Sequence, residues 1–294
     1  MQNSRLAQRK LRLQKHPAKK KKRGVWKILI LILVVIIIFS ALIWNFGIFR
    51  SWNGKSKITI ADQKKGGVSI VVLDPASSTI TTIDIPSNTE VEAAHQLGTW
   101  KLGSIGKLGD DEKLGGEFLK DTVINSFKFP VSAWVKDGQS NLTILDKLQI
   151  WLFTLSVGNS GKTNINLGDT NYLIKGKLVD GTVGFEINEV MPLSTKVLFT
   201  QVILAKANLN VEIENAGAGK TNSNMVGKTL GALGLNITSI KDVDVVGDDC
   251  IVKGTNKEAL DEISKIFSCQ KEETKASDNF DLEIILGKKF KDRF

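Results

Sequence analysis

The chain has 294 residues, with 40 Lys and Arg against 31 Asp and Glu, which gives a formal net charge of +9 at pH 7. Eleven of the basic residues lie within residues 1–27, so 29 basic residues face 31 acidic ones in the remainder, whose formal net charge is −2. A basic surface for nucleic acid is therefore not expected beyond this tail. The only histidines are His16, in the tail, and His95, which argues against a His-based metal cluster in the remainder.

The stretch from Ile28 to Ile48 contains 21 residues without a charge. As a helix rising about 1.5 Å per residue it would be about 32 Å long, close to the ~30 Å hydrocarbon thickness of a bilayer, which predicts one transmembrane helix. Eleven basic residues precede it and five follow up to residue 65. This bias predicts a single-pass plasma-membrane protein whose residues 1–27 are cytoplasmic and whose main domains are extracytoplasmic. A cleaved signal peptide is the alternative, but no small-residue cleavage site follows Leu42.

Residues 49–65 are predicted to be a linker to an outer region of α/β type. Val68–Leu73 is an apolar run and Thr79–Ile85 a β-branched run, and together they predict a hairpin at the start of a sheet. Gly116–Phe127 has the apolar spacing of a helix, and Val131–Val135 has the composition of a short strand.

Two further segments of this region have distinct compositions. Leu142–Leu155 is strongly apolar, but at 14 residues it is too short to cross a bilayer. Asp146 and Lys147 predict a polar side, so this segment is expected to be an amphipathic helix packed on the sheet. Gly98–Gly116 contains six glycines and is predicted to be a mobile loop.

From residue 206 onward, strand and helix patterns alternate in a regular order. The strands are predicted at Leu209–Glu214, Asn236–Ile240, Cys250–Lys253 and Leu282–Leu286, and the helices at Asn222–Leu233 and Lys257–Phe267. The order β-α-β-β-α-β predicts the split ferredoxin-like arrangement. The fold class expected for the outer region is therefore α/β plus α+β.

The only two cysteines, Cys250 and Cys269, flank one predicted strand-turn-helix unit. Outside the cell thiols are oxidised, and the helix would return the second cysteine toward the start of the strand, which predicts a disulfide. Two buried free thiols are the alternative.

The region from residue 206 onward resembles a domain of a known family. Val211-Glu-Ile-Glu-Asn-Ala-Gly-Ala-Gly219, then Gly234-Leu-Asn-Ile237 and the closing Asp281-Leu-Glu-Ile-Ile-Leu-Gly-Lys-Lys-Phe290, are similar to the C-terminal domain of LytR-type proteins of the LytR-CpsA-Psr family. Residues 206–294 are identified with that domain. Residues 66–205 resemble the family's main domain through Val68–Pro75, Ile80–Thr89, Gly115–Thr122 and Pro130–Val135.

The resemblance implies transfer of glycopolymers from a polyprenyl-pyrophosphate carrier to the cell wall, with arginines and acidic residues holding the pyrophosphate and its metal ion. This chain departs from the pattern there. Ser87 and Asn88 stand where the family has Arg-Asp, and no arginine occurs between Arg50 and Arg293. Because guanidinium groups supply the bidentate contacts to phosphate, this main domain is expected to be a degenerate relative without catalytic residues, metal or other cofactor.

Two classes of function follow. The first is a non-catalytic, membrane-anchored envelope protein whose outer domains bind wall polymer or an envelope partner, and this interpretation is preferred. The second is a divergent glycopolymer transferase that uses lysines of the glycine-rich segment, Lys101, Lys107 or Lys113, for polymer or phosphate contacts.

Overall fold

The computed structural model describes residues 26–37, 52–64, 66–277 and 279–294. Residues 26–37 form a helix whose side chains are exposed. Contacts divide the chain into one unit at Met1–Phe49 and another at Arg50–Phe294. Among the described residues, no helix has both the length and the apolar composition needed to cross a membrane. The predicted span 28–48 continues past residue 37 into residues outside the described ranges, so the anchor stays a prediction.

The second unit contains a mixed sheet of six strands, here called the first sheet. Its strands are β1 (Ile58–Lys64), β2 (Gly67–Asp74), β3 (Thr79–Ile85), β6 (Ala133–Lys136), β7 (Gln139–Ser140) and β8 (Lys162–Asn166), and two strand pairs lie beside it, β4 (Glu90–Glu92) with β5 (Thr99–Lys101) and β9 (Leu173–Lys177) with β10 (Val183–Ile187). The order across the sheet is β7-β6-β1-β2-β3-β8. The helices here are α1 (Ile105–Asp111), α2 (Gly115–Phe127), α3 (Ile144–Ser156), α4 (Leu193–Phe199) and α5 (Val202–Ala207).

The predicted hairpin is confirmed, since β2 and β3 pair antiparallel from Val68 opposite Ile85 to Asp74 opposite Thr79. The predicted linker at residues 49–65 is wrong in its second half, because β1 lies there. This strand runs antiparallel to β2 and parallel to β6 near the middle of the sheet. Its alternation of Ile58 and Ile60 with polar neighbours is the strand signal that the sequence contained.

Helices cover both faces of the first sheet. On one face, α2 buries Phe118, Val123 and Phe127 against Ile70 and Ile83 of the sheet. On the other face, α3 packs Ile150 and Phe153 against a core that contains Trp52, Ile58 and Ile60. The two predicted helices are therefore present, and they make three layers with the sheet between them.

The glycine-rich segment Gly98–Gly116 forms regular elements, so its prediction as a loop is wrong, and its mobility stays a prediction. It forms β5, a 3-10 turn at Leu102–Ser104, α1 and the start of α2. Its glycines allow close packing: a Cβ added at Gly106 would lie 1.9 Å from the Gln63 amide nitrogen, and one at Gly116 would lie 2.0 Å from the Trp134 ring. These contacts explain a composition that otherwise indicates a loop.

The second sheet has five strands in the order β12-β11-β15-β13-β14. Its elements are β11 (Asn210–Ala216), α6 (Lys220–Leu233), β12 (Asn236–Asp242), β13 (Cys250–Gly254), α7 (Lys257–Phe267), β14 (Gln270–Glu272), β15 (Leu282–Gly287) and α8 (Lys288–Arg293). The predicted elements are present, with the short β14 added. The split arrangement is wrong, because β11 and β12 are direct parallel neighbours and β15 pairs with the other edge of β11.

One hydrophobic core joins the two sheets, and the end of the chain ties them together. Arg293 places Nη1 3.7 Å from Asp121 Oδ2 on α2 and Nη2 3.2 Å from Asp249 Oδ1, just before β13. Burial raises the pKa of Asp121 to about 6, although the charges of Lys120 and Arg293 lower it. Arg293 therefore bridges the two sheet regions with its own charge compensated on both sides.

Cys250 and Cys269 form a disulfide, as the sequence predicts, with their Cα atoms 4.5 Å apart. The bond closes a loop with a sequence separation of 19 residues, and both cysteines are buried. We expect the Cys250→Ala/Cys269→Ala variant to lose about 3 kcal/mol of unfolding free energy, the chain-entropy value for a loop of about this size. Urea unfolding of the two proteins measures the difference. Reductant should lower the stability of the natural chain and leave that of the double variant unchanged. Equal urea midpoints for the oxidised natural chain and the double variant would contradict the prediction.

The close approach of Gly116 to Trp134 gives a second expectation. A methyl group at Gly116 would clash with the indole ring of Trp134. The ring cannot easily move away, because Trp134 Nε1 donates a 2.9 Å hydrogen bond to Glu117 Oε1. Gly116→Ala should therefore cost about 1–3 kcal/mol of stability. Gly231, also helical, has nothing within 4 Å of its added Cβ, and Gly231→Ala should instead stabilise by up to about 1 kcal/mol. Thermal unfolding of both variants tests the pair, and a loss of stability in both would refute the packing explanation.

Candidate functional site

The positions where the family pattern has Arg-Asp are used here to hold a neighbouring hairpin. Asn88 Nδ2 donates to the Val183 carbonyl at 3.1 Å, and the Asn88 carbonyl accepts from Phe185 N at 3.2 Å, so both groups contact β10. The Ser87 carbonyl accepts from Gly103 N at 2.9 Å while its side chain is exposed. Asn88 therefore contacts the β9–β10 hairpin, Ser87 contacts the turn at Gly103, and both residues supply neutral groups.

The three predicted polymer-contacting lysines differ in their surroundings. Lys101 Nζ lies 2.7 Å from Asp180 Oδ2 and donates to Thr182 Oγ1 at 2.9 Å, so it holds the tip of the same hairpin. Hydrogen bonds from Lys101 and Thr182 lower the pKa of Asp180 below its usual range. Lys107 on α1 and Lys113 in the turn after it are exposed. Their role in polymer contact stays a prediction.

A different set of lysines lines a cleft where the two sheet regions meet, here called the lysine cleft. A cavity of about 300 Å³ is lined by Lys128 at the end of α2, Lys196 of α4 and Lys228 of α6, together with Tyr172 and Glu189. An adjoining cavity of about 470 Å³ shares Lys128, Tyr172, Glu189 and Lys228 with it. The two cavities therefore adjoin, and their lining contains three lysines together with Glu92 and Glu189.

Local structure fixes the position of Lys128. It ends α2 in the left-handed conformation with φ 59°, and its backbone N–H donates to the Ile124 carbonyl at 3.0 Å. Phe127 and Phe129 on either side are fully buried, with ring centroids 5.4 Å apart. Tyr172 completes the wall, since its hydroxyl donates to the Phe127 carbonyl at 2.6 Å. A cation at this point also interacts favourably with the C-terminal end of the α2 dipole.

The electrostatics of the cleft favour an anionic ligand. Burial, followed by the nearby charge of Lys228, lowers the pKa of Lys128 to about 8, while Glu92 acts in the opposite direction. A lysine with this pKa still has its charge at pH 7, but it is held in an environment where that charge is poorly compensated. A phosphate or carboxylate in the groove would compensate it.

One cluster among the described residues has the spacing of a metal site. Glu212, Glu214 and Glu283 have carboxylate oxygens within 4.8 Å of one another on the second sheet. Lys241 Nζ lies 3.1 Å from both Glu212 and Glu214, and Lys253 Nζ lies 3.1 Å from Glu283. These two ammonium groups pair with all three carboxylates, so the cluster is explained as an ion-pair network on strands.

His95 has a structural position. Its backbone N–H donates to the Arg293 carbonyl at 2.9 Å, and its ring is tilted against Phe118 at 6.1 Å between centroids. Burial and the charge of Arg293 lower its pKa. It belongs to the contact between the end of the chain and the first sheet region.

Sequence reasoning missed the lysine cleft. Lys128, Lys196 and Lys228 lie on three separate helices far apart in the chain, and none stands in a motif. The one available signal was Lys128 itself, a charged residue between Phe127 and Phe129 directly after an apolar helix.

Comparison with solved structures finds similarity to proteins of the LytR-CpsA-Psr family. TagT from Bacillus subtilis aligns with a TM-score of 0.36 and 13% identity over 47% of this chain and 87% of its own. A LytR-CPS2A-psr family protein, YwtF (TagT), with bound octaprenyl pyrophosphate lipid gives 0.36 and 13% over 46% and 85%. A transcriptional regulator from Enterococcus faecalis gives 0.36 and 11% over 63% of this chain and 90% of its own.

No protein-family model matches the chain, and no curated protein matches it in sequence. The structural likeness agrees with the resemblance seen in the sequence. At these values the activity has to be argued from the residues of this chain.

The pKa of Lys128 can be tested directly. Removing the neighbouring positive charge in Lys228→Gln should raise the Lys128 pKa from about 8, because repulsion by Lys228 is one cause of its low value. Glu92→Gln should lower it further for the opposite reason. NMR titration of ¹³C-dimethylated lysines follows the change, with the Lys128 signal assigned by its loss in Lys128→Arg. A Lys128 signal that does not move in either variant would contradict the electrostatic account.

Proposed function

We propose that this chain is a membrane-anchored protein of the cell envelope that binds an anionic wall polymer in the lysine cleft without transferring it. The observation that carries the proposal is the groove itself, where Lys128 and Lys228 line two adjoining cavities of about 300 and 470 Å³ and Lys196 lines the first of them. The groove runs along the junction of two sheet regions, which is a common place for ligand sites.

The lysines suit a polymer of repeating negative charge. An ammonium group is a compact point charge on a flexible stem, and it binds phosphate without the fixed fork geometry of arginine. Successive phosphates of a polymer can therefore occupy the groove in more than one register. Such a site supports holding a polymer, and it lacks the rigid donors that a bond-breaking step needs.

The residues of the expected catalytic position support the non-catalytic part of the proposal. Ser87 and Asn88 bring no charge, and the Asn88 side chain is engaged by β10. Arg293 is the only arginine among the described residues, and it is paired with Asp121 and Asp249. A pyrophosphate clamp made of free guanidinium groups therefore has no source in the described part of the chain.

The localisation rests on the sequence. The uncharged stretch 28–48 and the eleven basic residues before it support a cytoplasmic N-terminus, a single span and extracytoplasmic main domains. In that location the groove would face the wall, where anionic polymer is the abundant ligand of matching charge.

The alternative is a divergent glycopolymer transferase that acts on polyprenyl-pyrophosphate-linked substrates with Lys101, Lys107 and Lys113. It requires Lys101 to leave Asp180, whose carboxylate it contacts at 2.7 Å. The polymer-binding proposal needs no such rearrangement, and we prefer it for that reason.

Binding of labelled wall teichoic acid to the full chain in nanodiscs tests the proposal. We expect Lys128→Gln/Lys228→Gln to weaken binding at least about tenfold, because one charge-assisted hydrogen bond is worth about 1.5–3 kcal/mol and 1.4 kcal/mol is tenfold in affinity. Lys107→Gln/Lys113→Gln is the matched control, since it removes the same number of charges from exposed positions elsewhere. Equal affinity in the two double variants would rule out the cleft as the binding site.

The same preparation decides between binding and transfer. Incubation with carrier-linked glycan and magnesium should give no product. Turnover that disappears in the Lys101→Ala/Lys107→Ala/Lys113→Ala variant would overturn the non-catalytic assignment and establish the transferase alternative.

A further inference from the structure

Helix α3 has a continuous apolar stripe on its outer side. Ile144, Leu148, Trp151, Leu152 and Leu155 are 74, 50, 56, 53 and 64% exposed. At about 100° per residue these five side chains, here called the α3 stripe, fall within an arc of about 100° on the helix. The described part of the chain leaves this stripe uncovered.

The opposite side of α3 accounts for its attachment to the sheet. Ile150 and Phe153 pack against the core that contains Trp52 on one face of the first sheet. Asp146 is fully buried. Asp146 forms a capping box with Thr143 and also accepts a hydrogen bond from Trp52 N at 3.3 Å. The expectation of Asp146 on a solvent side is thus wrong, and the helix turns apolar side chains toward the outside instead.

Few residues of the chain separate the predicted anchor from a residue that packs against this helix. Trp52, which is 2% exposed, packs its ring against Phe153 at 5.8 Å between centroids. Trp52 follows Ile48, the last residue of the predicted span, by four residues. A fully extended chain covers only about 14 Å over four residues, so the tether between the predicted span and Trp52 is short.

A second exposed apolar surface adjoins the same entry segment. Lys57 N donates to Gln201 Oε1 at 2.9 Å, directly before α5. Val202 and Ile203 of α5 are 47 and 48% exposed. Two helices that hold residues 52–57 therefore both present apolar side chains to the outside.

We infer that the α3 stripe docks on the outer leaflet of the membrane beside the anchor. The inference rests on the membrane anchor of the proposed function and adds the orientation of the folded part. Amphipathic helices lie in the interface with their apolar face about 5–10 Å into the headgroup and acyl boundary, and Trp is favoured at this depth. Trp151 lies within the stripe, and the exposed Lys147 beside it suits anionic headgroups.

A second copy of the chain is a poorer occupant of this surface. A stable protein interface uses about 20–30 residues on each side, whereas the stripe has five side chains on one helix. A bilayer surface needs no complementary shape. The four residues from Ile48 to Trp52 also keep the bilayer close to the folded part of the chain.

The test uses the full chain in nanodiscs of phosphatidylcholine and phosphatidylglycerol. Leu152→Cys is labelled with an environment-sensitive fluorophore, which reacts only there because the native cysteines are joined in a disulfide. Lipids with a nitroxide near the headgroup end of the acyl chain act as quenchers. We expect a blue-shifted label at position 152 that loses most of its emission with the nitroxide lipid.

Val179→Cys is the matched control, since Val179 is an apolar residue 92% exposed in the β9–β10 hairpin. Its label should stay unquenched. Equal behaviour at positions 152 and 179 in chains that remain with the discs would overturn the docking inference and leave polymer binding intact. A blue shift that nitroxide lipid does not quench, and that vanishes at one chain per disc, would assign the stripe to a second copy. Chains that leave the discs would remove the anchor and the docking inference together.

Discussion

The relative position of the two sheets depends on how the charge of Arg293 is buried. A guanidinium taken out of water is tolerated only when paired, and here Asp121 of α2 and Asp249 of the second sheet region supply the two partners. The aromatic rings of Phe290 and Phe294 lie 5.2 and 4.7 Å from its guanidinium carbon and exclude water around it. The lysine cleft is formed by helices of both regions, which also share one hydrophobic core.

Local patterns in the sequence identified most elements of the fold. The β-branched runs of β2 and β3 and the apolar spacing of α2 and α7 are strong signals because these elements bury apolar side chains at the spacing of a strand or of a helix. The order of the strands within a sheet could not be predicted in this way, because the sequence from β11 to β15 does not indicate which strands pair. The same element order fits both a split sheet and the observed one, in which β11 lies between β12 and β15.

The missed features depend on contacts between distant residues. Gly106 and Gly116 look like loop residues until Gln63 and Trp134 are placed against them. Asp146 looks solvent-facing until its carboxylate is seen to cap α3 and receive the N–H of Trp52. The lysine cleft gives no pattern at all, because electrostatic sites depend on proximity in space.

The position of β15 has a consequence for the order in which the chain can fold. It is the last strand of the second sheet in chain order, yet it lies in the middle, parallel to β11 on one side and antiparallel to β13 on the other. The first sheet is complete once β8 has been made. The second sheet cannot form completely until β15 has been synthesised. During synthesis β11 and β13 therefore expose unpaired edges, which the folded first sheet or a chaperone must protect from aggregation.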